Sequence, residues 1–184
     1  MTILGVLADT HIPDRCKALN PRILQVFSAA RVQAILHAGD VCTPAIVDAL
    51  QTIAPVLAVQ GNRDIWAMPN LPLARCETFD GVRVGITHGH GGFWGYWGEK
   101  FEYVLFGYRL TRYLKRLPRL LPNADVLIWG HSHHAEQVWH NGKLFLNPGS
   151  ACHADSRRDL PSIALLHIEN QQPRAQMIAL TPAG

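Results

Sequence analysis

The sequence predicts an α/β fold in which two β-sheets share a core and helices lie outside. Three observations carry this reading. The first third alternates short apolar runs with helix-forming stretches, the pattern of βαβ units and a mostly parallel sheet. The later part carries Asp80-Gly81 and Asn141-Gly142 between strand-like runs, the pairs that favour tight hairpins. The 184 residues are 48% hydrophobic, which is enough to bury a sizeable core in one domain. Residues 1–184 read as that single domain, with no internal repeat, low-complexity tract or linker.

Each element follows from local signals. Residues 2–8 form a buried strand. A helix is expected over Ala18 to Ala30, with Pro21 in its first turn where proline is tolerated. Val32 to His37 is a second strand. Thr43 and Pro44 supply N-cap and N1 of a second helix ending near Gln51. Pro55 to Val59 is a third strand. Cys76–Phe79 and Val82–Val84 flank one hairpin turn, and Gln137–Trp139 and Lys143–Leu146 flank another. Ser162 to Ile168 and Ala175 to Leu180 are strands joined by a turn at Asn170-Gln171-Gln172-Pro173.

Composition excludes several classes. No apolar stretch is long enough to span a bilayer, so no membrane partner is expected. A secretory leader is not expected either: the start lacks a basic region, and Asp9 and His11 interrupt its apolar run. The expected location is cytoplasmic. Cys16, Cys42, Cys76 and Cys152 form no C-x-x-C pair, and a chain this long needs no disulfide staple. They are expected as free thiols, with Cys152 a small packed residue.

The segment over 92–122 stands apart. Phe93 to Gly98 is too glycine-rich for a helix, whereas a helix is expected from about Glu99. Phe101, Leu105, Tyr108 and Arg112 mark one stripe of it; Val104, Tyr108 and Leu114 to Leu117 extend the apolar side. Six basic residues stand there against two acidic ones, a local excess of four charges against +3 for the whole chain. A solvated helix face explains that excess, with local attraction of anionic ligands as the alternative. The aromatic stripe fits core packing or contact in a homodimer.

Five polar clusters each follow an apolar run: Asp9-Thr10-His11, Gly39-Asp40, Gly61-Asn62-Arg63-Asp64, His88-Gly89-His90 and Gly130-His131-Ser132-His133. Side chains two apart along a strand point the same way, so Asp9 and His11 can address one ion, and so can His131 and His133. Asp40 offers a carboxylate on a tight approach, Asn62 a neutral amide oxygen and His88 an imidazole. Mixed oxygen and imidazole ligation suits manganese, iron, zinc, cobalt or nickel better than calcium. Glycines beside the ligands let the backbone turn sharply. The single histidines elsewhere have plainer roles: His37 is a satisfied core residue, His134 has the opposite strand parity, and His140 is exposed beside its turn.

These five blocks, in this order over residues 9 to 133, resemble the calcineurin-like metallophosphoesterase superfamily. Asn147-Pro148-Gly149-Ser150 further resembles its small bacterial and archaeal phosphodiesterase branch. The resemblance implies a four-layer α/β/β/α sandwich with two mixed sheets and outer helices. It implies two divalent ions as cofactors, manganese first, with iron, zinc, nickel, cobalt or magnesium in its place. Asp9, His11 and His133 would hold one ion, Asn62, His88 and His131 the other, and Asp40 would bridge them. The implied reaction is hydrolysis of a small phosphate ester, a diester rather than a monoester, by in-line attack of a hydroxide held between the ions.

One position departs from the family pattern. Many members carry histidine after the Gly-Asn pair, a candidate proton donor to the leaving group; here it is Arg63. Arginine stays protonated and binds phosphate well, so Arg63 is expected to take the phosphate unless it forms a surface ion pair, for instance with Asp64. Good leaving groups would then be favoured. His90 is a candidate for a catalytic role, for contact with substrate or for orienting His88. Two other functions compete: a protein-interaction scaffold of the same fold, as in a retromer subunit resembling this branch, and a nuclease, for which the chain shows no added nucleic-acid-binding domain.

Overall fold

The computed structural model describes residues 1–90, 107–152 and 160–180. Two five-stranded sheets face each other, and the described helices lie on their outer sides. The first sheet contains β1 (Thr2–Leu7), β2 (Ala34–His37), β3 (Val56–Ala58), β9 (Ser162–Glu169) and β10 (Gln172–Ala179), in the order β10-β9-β1-β2-β3. The second contains β4 (Ala74–Phe79), β5 (Val82–Thr87), β6 (Val126–Ile128), β7 (Ala135–His140) and β8 (Lys143–Pro148), in the order β4-β5-β6-β8-β7. Each sheet has a parallel run, β1-β2-β3 or β5-β6-β8; antiparallel pairs flank it on one side in the first sheet and on both sides in the second. The second half is therefore not simply a set of antiparallel hairpins.

Alternation along each strand divides the apolar residues among three interfaces. Leu4, Val6 and Leu36 meet Val84, Ile86 and Ile128 between the sheets. Ile35 and Leu165 face outward onto helices α1 (Pro21–Ala29) and α2 (Pro44–Gln51), through Phe27 and Leu50. On the opposite side, Leu127, Trp129 and Phe145 pack on Tyr113 and Leu117 of helix α3 (Leu110–Leu120). The α/β/β/α layering follows. With both faces covered, central strands such as β1 and β6 read as unbroken apolar runs.

Local chemistry sets the boundaries. Helix α1 begins later than Ala18 because Asn20 caps it: its side chain accepts from the Arg22 N–H at 3.0 Å, with Pro21 at N1. Thr43 stands at the N-cap of α2 in extended geometry, although its hydroxyl makes no capping bond. The expected helix from Glu99 lies mostly outside the described residues. Within them Gly107 and Tyr108 precede α3; Tyr113, Leu117 and Leu121 are buried, and Tyr108 and Leu114 pack against them as expected of the apolar side, whereas Arg112 is not part of that cluster. Asp80-Gly81 and Asn141-Gly142 take positive φ at both central positions, as their hairpins require. Asn170 and Gln171 do the same at φ 50° and 61°. That turn is two residues rather than four, and Gln172 and Pro173 pair with Glu169 and Ile168 on the edge strand β10.

The cysteines differ most from expectation. Cys16 and Cys152, 136 residues apart, form a disulfide with Cα atoms 6.0 Å apart. The topology places the loops after β1 and β8 side by side. Cys42 and Cys76 are free thiols. Among the described residues no helix is long and apolar enough to cross a membrane.

Packing between β1 and α1 is close enough to test. A Cβ on Gly5 would lie 2.9 Å from Phe27 Cε1, and Phe27 is fully buried. Gly5→Ala is expected to cost about 1–3 kcal/mol, measured as a lower urea midpoint with an unchanged slope.

Candidate metal centre

The site lies where the parallel strands end, and the chain reaches it by abrupt turns. Asp9, His11, Asp40, His131 and His133 all have positive φ, between 47° and 68°. Non-glycine residues avoid this region, at a cost of order 1–3 kcal/mol each unless the surroundings enforce it. Asp9 and His11 therefore converge through left-handed kinks after β1, as do His131 and His133 after β6, and not through the strand alternation expected for them. Hydrogen bonds hold the kinks. Asp9 N–H donates to Gly39 O at 3.0 Å and His11 N–H to Asp40 O at 3.2 Å. His131 N–H donates to Asp9 Oδ2 at 2.9 Å. A Cβ on Gly61 would sit 2.1 Å from Asp40 Oδ1, so only glycine permits that approach.

Two donor groups result, sharing Asp9: Asp9 with His11 and His133, and Asp9 with Asp40 and His88. In the first, Asp9 Oδ1 lies 3.6 Å from His11 Nε2 and 3.4 Å from His133 Nε2, while those two ring nitrogens are 3.0 Å apart. Asp40 belongs to the second group: its Oδ1 is 3.5 Å from His88 Nε2, while its Oδ2 is 3.8 Å from His11 Nδ1, the ring nitrogen opposite the one that faces Asp9 and His133. Asn62 Oδ1 is 3.1 Å from His88 Nε2. The His131 ring centroid is 5.0 Å from that of His88, and that of His90 is 5.4 Å from it. His131 and His90 thus adjoin the second group without belonging to either set of close donor atoms.

The donor chemistry fits cations. Asp9 Oδ1 is buried with no hydrogen-bond partner, although a buried carboxylate oxygen needs one. His88 Nδ1 donates to Ala38 O at 2.8 Å, which leaves Nε2 of the neutral ring as a lone pair facing another acceptor, Asn62 Oδ1. Two lone pairs so placed are satisfied by a proton on Nε2 or by a metal ion between them.

Comparison with known proteins agrees. The family profile of the calcineurin-like phosphoesterase superfamily domain matches residues 1–171. The chain belongs to this superfamily. A probable metallophosphoesterase of Methanothermobacter thermautotrophicus is 35% identical over 176 residues, covering 96% of this chain and 91% of that protein. Zinc-complexed Vps29 of Entamoeba histolytica superposes with a TM-score of 0.72 at 27% identity, covering 97% of this chain and 99% of that one. An archaeal phosphodiesterase shares the fold with a TM-score of 0.66 at 19% identity, covering 97% and 100% of the two chains.

Within this phosphoesterase domain, burial keeps several imidazoles neutral and so open to a metal, with His88 the exception. Burial pushes His11 down to about 3 and His90 to about 4, and it also lowers His131, so these imidazoles stay neutral near pH 7. His88 is raised: burial works against its charge, but Asp40 and Asp9 outweigh burial. Burial raises Asp40 to about 6. Burial acts to raise Asp9 too, but the His133 ring close beside it and the charge of His88 hold it below the usual carboxylate range. Positive charge is thus favoured between the two carboxylates. Cys42, on the adjoining loop, is pushed up to about 12 by burial and stays a thiol near pH 7.

Arg63 pairs with Asp14, Nη1 to Oδ2 at 2.8 Å, and not with Asp64. Asp64 is fully buried and accepts from Cys42 N–H at 2.7 Å and Gly61 N–H at 2.8 Å, fixing the turn that carries Asn62. The sequence reading assigned no role to Asp14, Thr10, Asn147 or Ser150. Ser150 Oγ donates to Asp9 O at 2.8 Å; Asn147 Nδ2 donates to Gly130 O at 3.2 Å and to Ser132 Oγ at 2.9 Å. The Asn147-Pro148-Gly149-Ser150 block was the visible signal for the last two. His134 lies outside both donor groups, its ring tilted against that of Tyr108 with centroids 4.3 Å apart, and His140 is exposed, as expected. His37 is only half satisfied: Nε2 lies 3.2 Å from Thr10 Oγ1, but Nδ1 has no partner.

His37 makes stability depend on pH. Burial holds it down at about 4, against an ordinary 6.5. Between these values the unfolded chain takes a proton that the folded chain refuses, so stability falls as pH drops from 6.5 toward 4. This one group contributes on the order of 3 kcal/mol to that loss. In urea titrations of chelator-treated protein, His37→Leu is expected to flatten the decline across that window.

Proposed function

We propose that the chain is a dinuclear metal-dependent phosphodiesterase. The observation that carries the reading is the pair of adjoining buried donor groups, Asp9 with His11 and His133, and Asp9 with Asp40 and His88. In this reading Asp9, His11 and His133 would hold one cation, Asn62, His88 and His131 another, and Asp40 would serve both. The bound cations, manganese first and zinc, iron, cobalt, nickel or magnesium in its place, would supply a deprotonated water near pH 7 and offset charge on the phosphoryl oxygens. Zinc in the Vps29 relative supports a divalent ion on this fold.

The protein groups divide the remaining work. Arg63, whose own N–H donates to Asp40 Oδ1 at 2.8 Å, stands at the rim of the site with its side chain 36% exposed. It binds a phosphoryl oxygen through its guanidinium donors. As a permanent cation it gives no proton to the leaving group, so diesters with good leaving groups are the favoured substrates. His90, buried beside His88, keeps the second imidazole cluster dry and oriented.

A second reading, a protein-interaction scaffold, draws on the loop between β3 and β4. There Trp66 is 93% exposed, with Ile65 and Leu73 exposed on the same connection. Large exposed apolar residues of this kind mark contact surfaces.

A matrix of metals against substrates separates the readings. Metal-free protein is loaded with Mn, Mg, Ni, Zn or Co and offered an aryl diester, an aryl monoester, cyclic nucleotides and short single strands. Turnover is expected first on the aryl diester, and Asp40→Ala is expected to lower it more than about 100-fold. Arg63→His is expected to improve relative rates on esters with poor leaving groups. No turnover in any combination, with partner binding retained in Asp40→Ala, supports the scaffold.

A further inference from the structure

Asp14 stands outside both donor groups, yet it holds a cationic side chain at the rim. Its Oδ2 accepts from Arg63 Nη1 at 2.8 Å. We propose that Asp14 is the positioning residue for Arg63. It fixes the direction of the guanidinium so that its remaining donors meet a phosphoryl oxygen beside Asp40. This rests on the reading of Arg63 as a phosphate ligand.

The case is geometric. Exposed ion pairs contribute little to stability, so this pair, with side chains 36% and 45% exposed, does not serve the fold. What it sets is the position of a long side chain. Arg63 is already anchored at its backbone by Asp40 Oδ1, and its Nε is 3.9 Å from Asp40 Oδ2, beyond hydrogen-bond reach. The guanidinium carries five N–H donors. Asp14 engages Nη1, which leaves donors on Nε and Nη2 for an anion.

Asp14 can do this only if its own loop is rigid, and the loop is closed on itself. Arg15 N–H donates to His11 O at 2.8 Å, and Cys16 N–H reaches the same oxygen at 3.4 Å. Cys16 is bonded to Cys152. Cys152 N–H donates to Ser150 Oγ at 3.3 Å, and Ser150 Oγ donates to Asp9 O at 2.8 Å. The chain from Asp9 to Cys16 thus returns to its starting residue through one covalent bond and two hydrogen bonds. Asp14 lies on this ring, so an exposed carboxylate has a fixed place.

The test measures binding of inorganic phosphate to the manganese-loaded protein by calorimetry. It also records the Arg63 Nε–H resonance in chelator-treated protein. Asp14→Ala is expected to weaken phosphate binding about tenfold and to broaden or average the Arg63 resonance, with Asp14→Glu restoring most of both. Asp14→Ala combined with Arg63→Ala should bind no more weakly than Arg63→Ala alone. Phosphate binding that is unchanged or tighter in Asp14→Ala, or losses that add in the double variant, would overturn the proposal, because Asp14 would then be a bystander or a competitor for the guanidinium. If Arg63→Ala itself leaves phosphate affinity unchanged, the role of Arg63 fails first and that of Asp14 with it.

Discussion

Two carboxylates, Asp9 and Asp40, are buried together, and their negative charge must be compensated where water cannot reach. Compensation from hydrogen bonds is incomplete, since Asp9 Oδ1 has no partner. Imidazoles surround the pair, but burial strips His11 and His131 of their protons. Only His88 is biased toward carrying one. The family is metal-dependent and these residues offer two groups of candidate donors; the surrounding architecture holds those oxygens and nitrogens in place. Charge buried at this density is costly to an apo protein, and ligation by divalent ions returns that cost as folding stability.

The two sheets make this arrangement affordable in backbone terms. Parallel strands β1 and β2 in one sheet, and β5 and β6 in the other, end at the same edge of the sandwich. Each strand is pinned on both faces by apolar packing. That rigidity lets five residues of the candidate site adopt left-handed backbone angles that would relax in a looser framework. Buried Asp64, Thr10, Asn147 and Ser150 tie the loops to one another through main-chain groups. The ligands are thus set by a hydrogen-bonded collar as much as by the strands beneath them.

Much of this was legible in the residues because certain positions admit few alternatives. Asp80-Gly81 and Asn141-Gly142 announce hairpins, since few other pairs tolerate two positive φ angles. Asn170-Gln171 forms the same turn without glycine, so its length was misjudged. The five ligand clusters stood out because Asp, His and Asn follow apolar runs at every one of them. Their convergence was visible, but the kinks producing it were not, because φ at Asp9 or His133 depends on partners more than a hundred residues away. The same distance hid the Cys16–Cys152 bond, which no local spacing marks. The Asp14–Arg63 pair was hidden likewise, since it joins two loops through a contact only the topology creates.

The account stands or falls on whether Asp40 bridges two ions. Anomalous diffraction from crystals of the manganese-loaded protein, recorded on both sides of the metal edge, tests this directly. Two peaks roughly 3.5–4 Å apart are predicted, one beside His11 and His133, the other beside Asn62 and His88, with one Asp40 oxygen on each. A single peak, or two peaks that Asp40 does not touch, would contradict it.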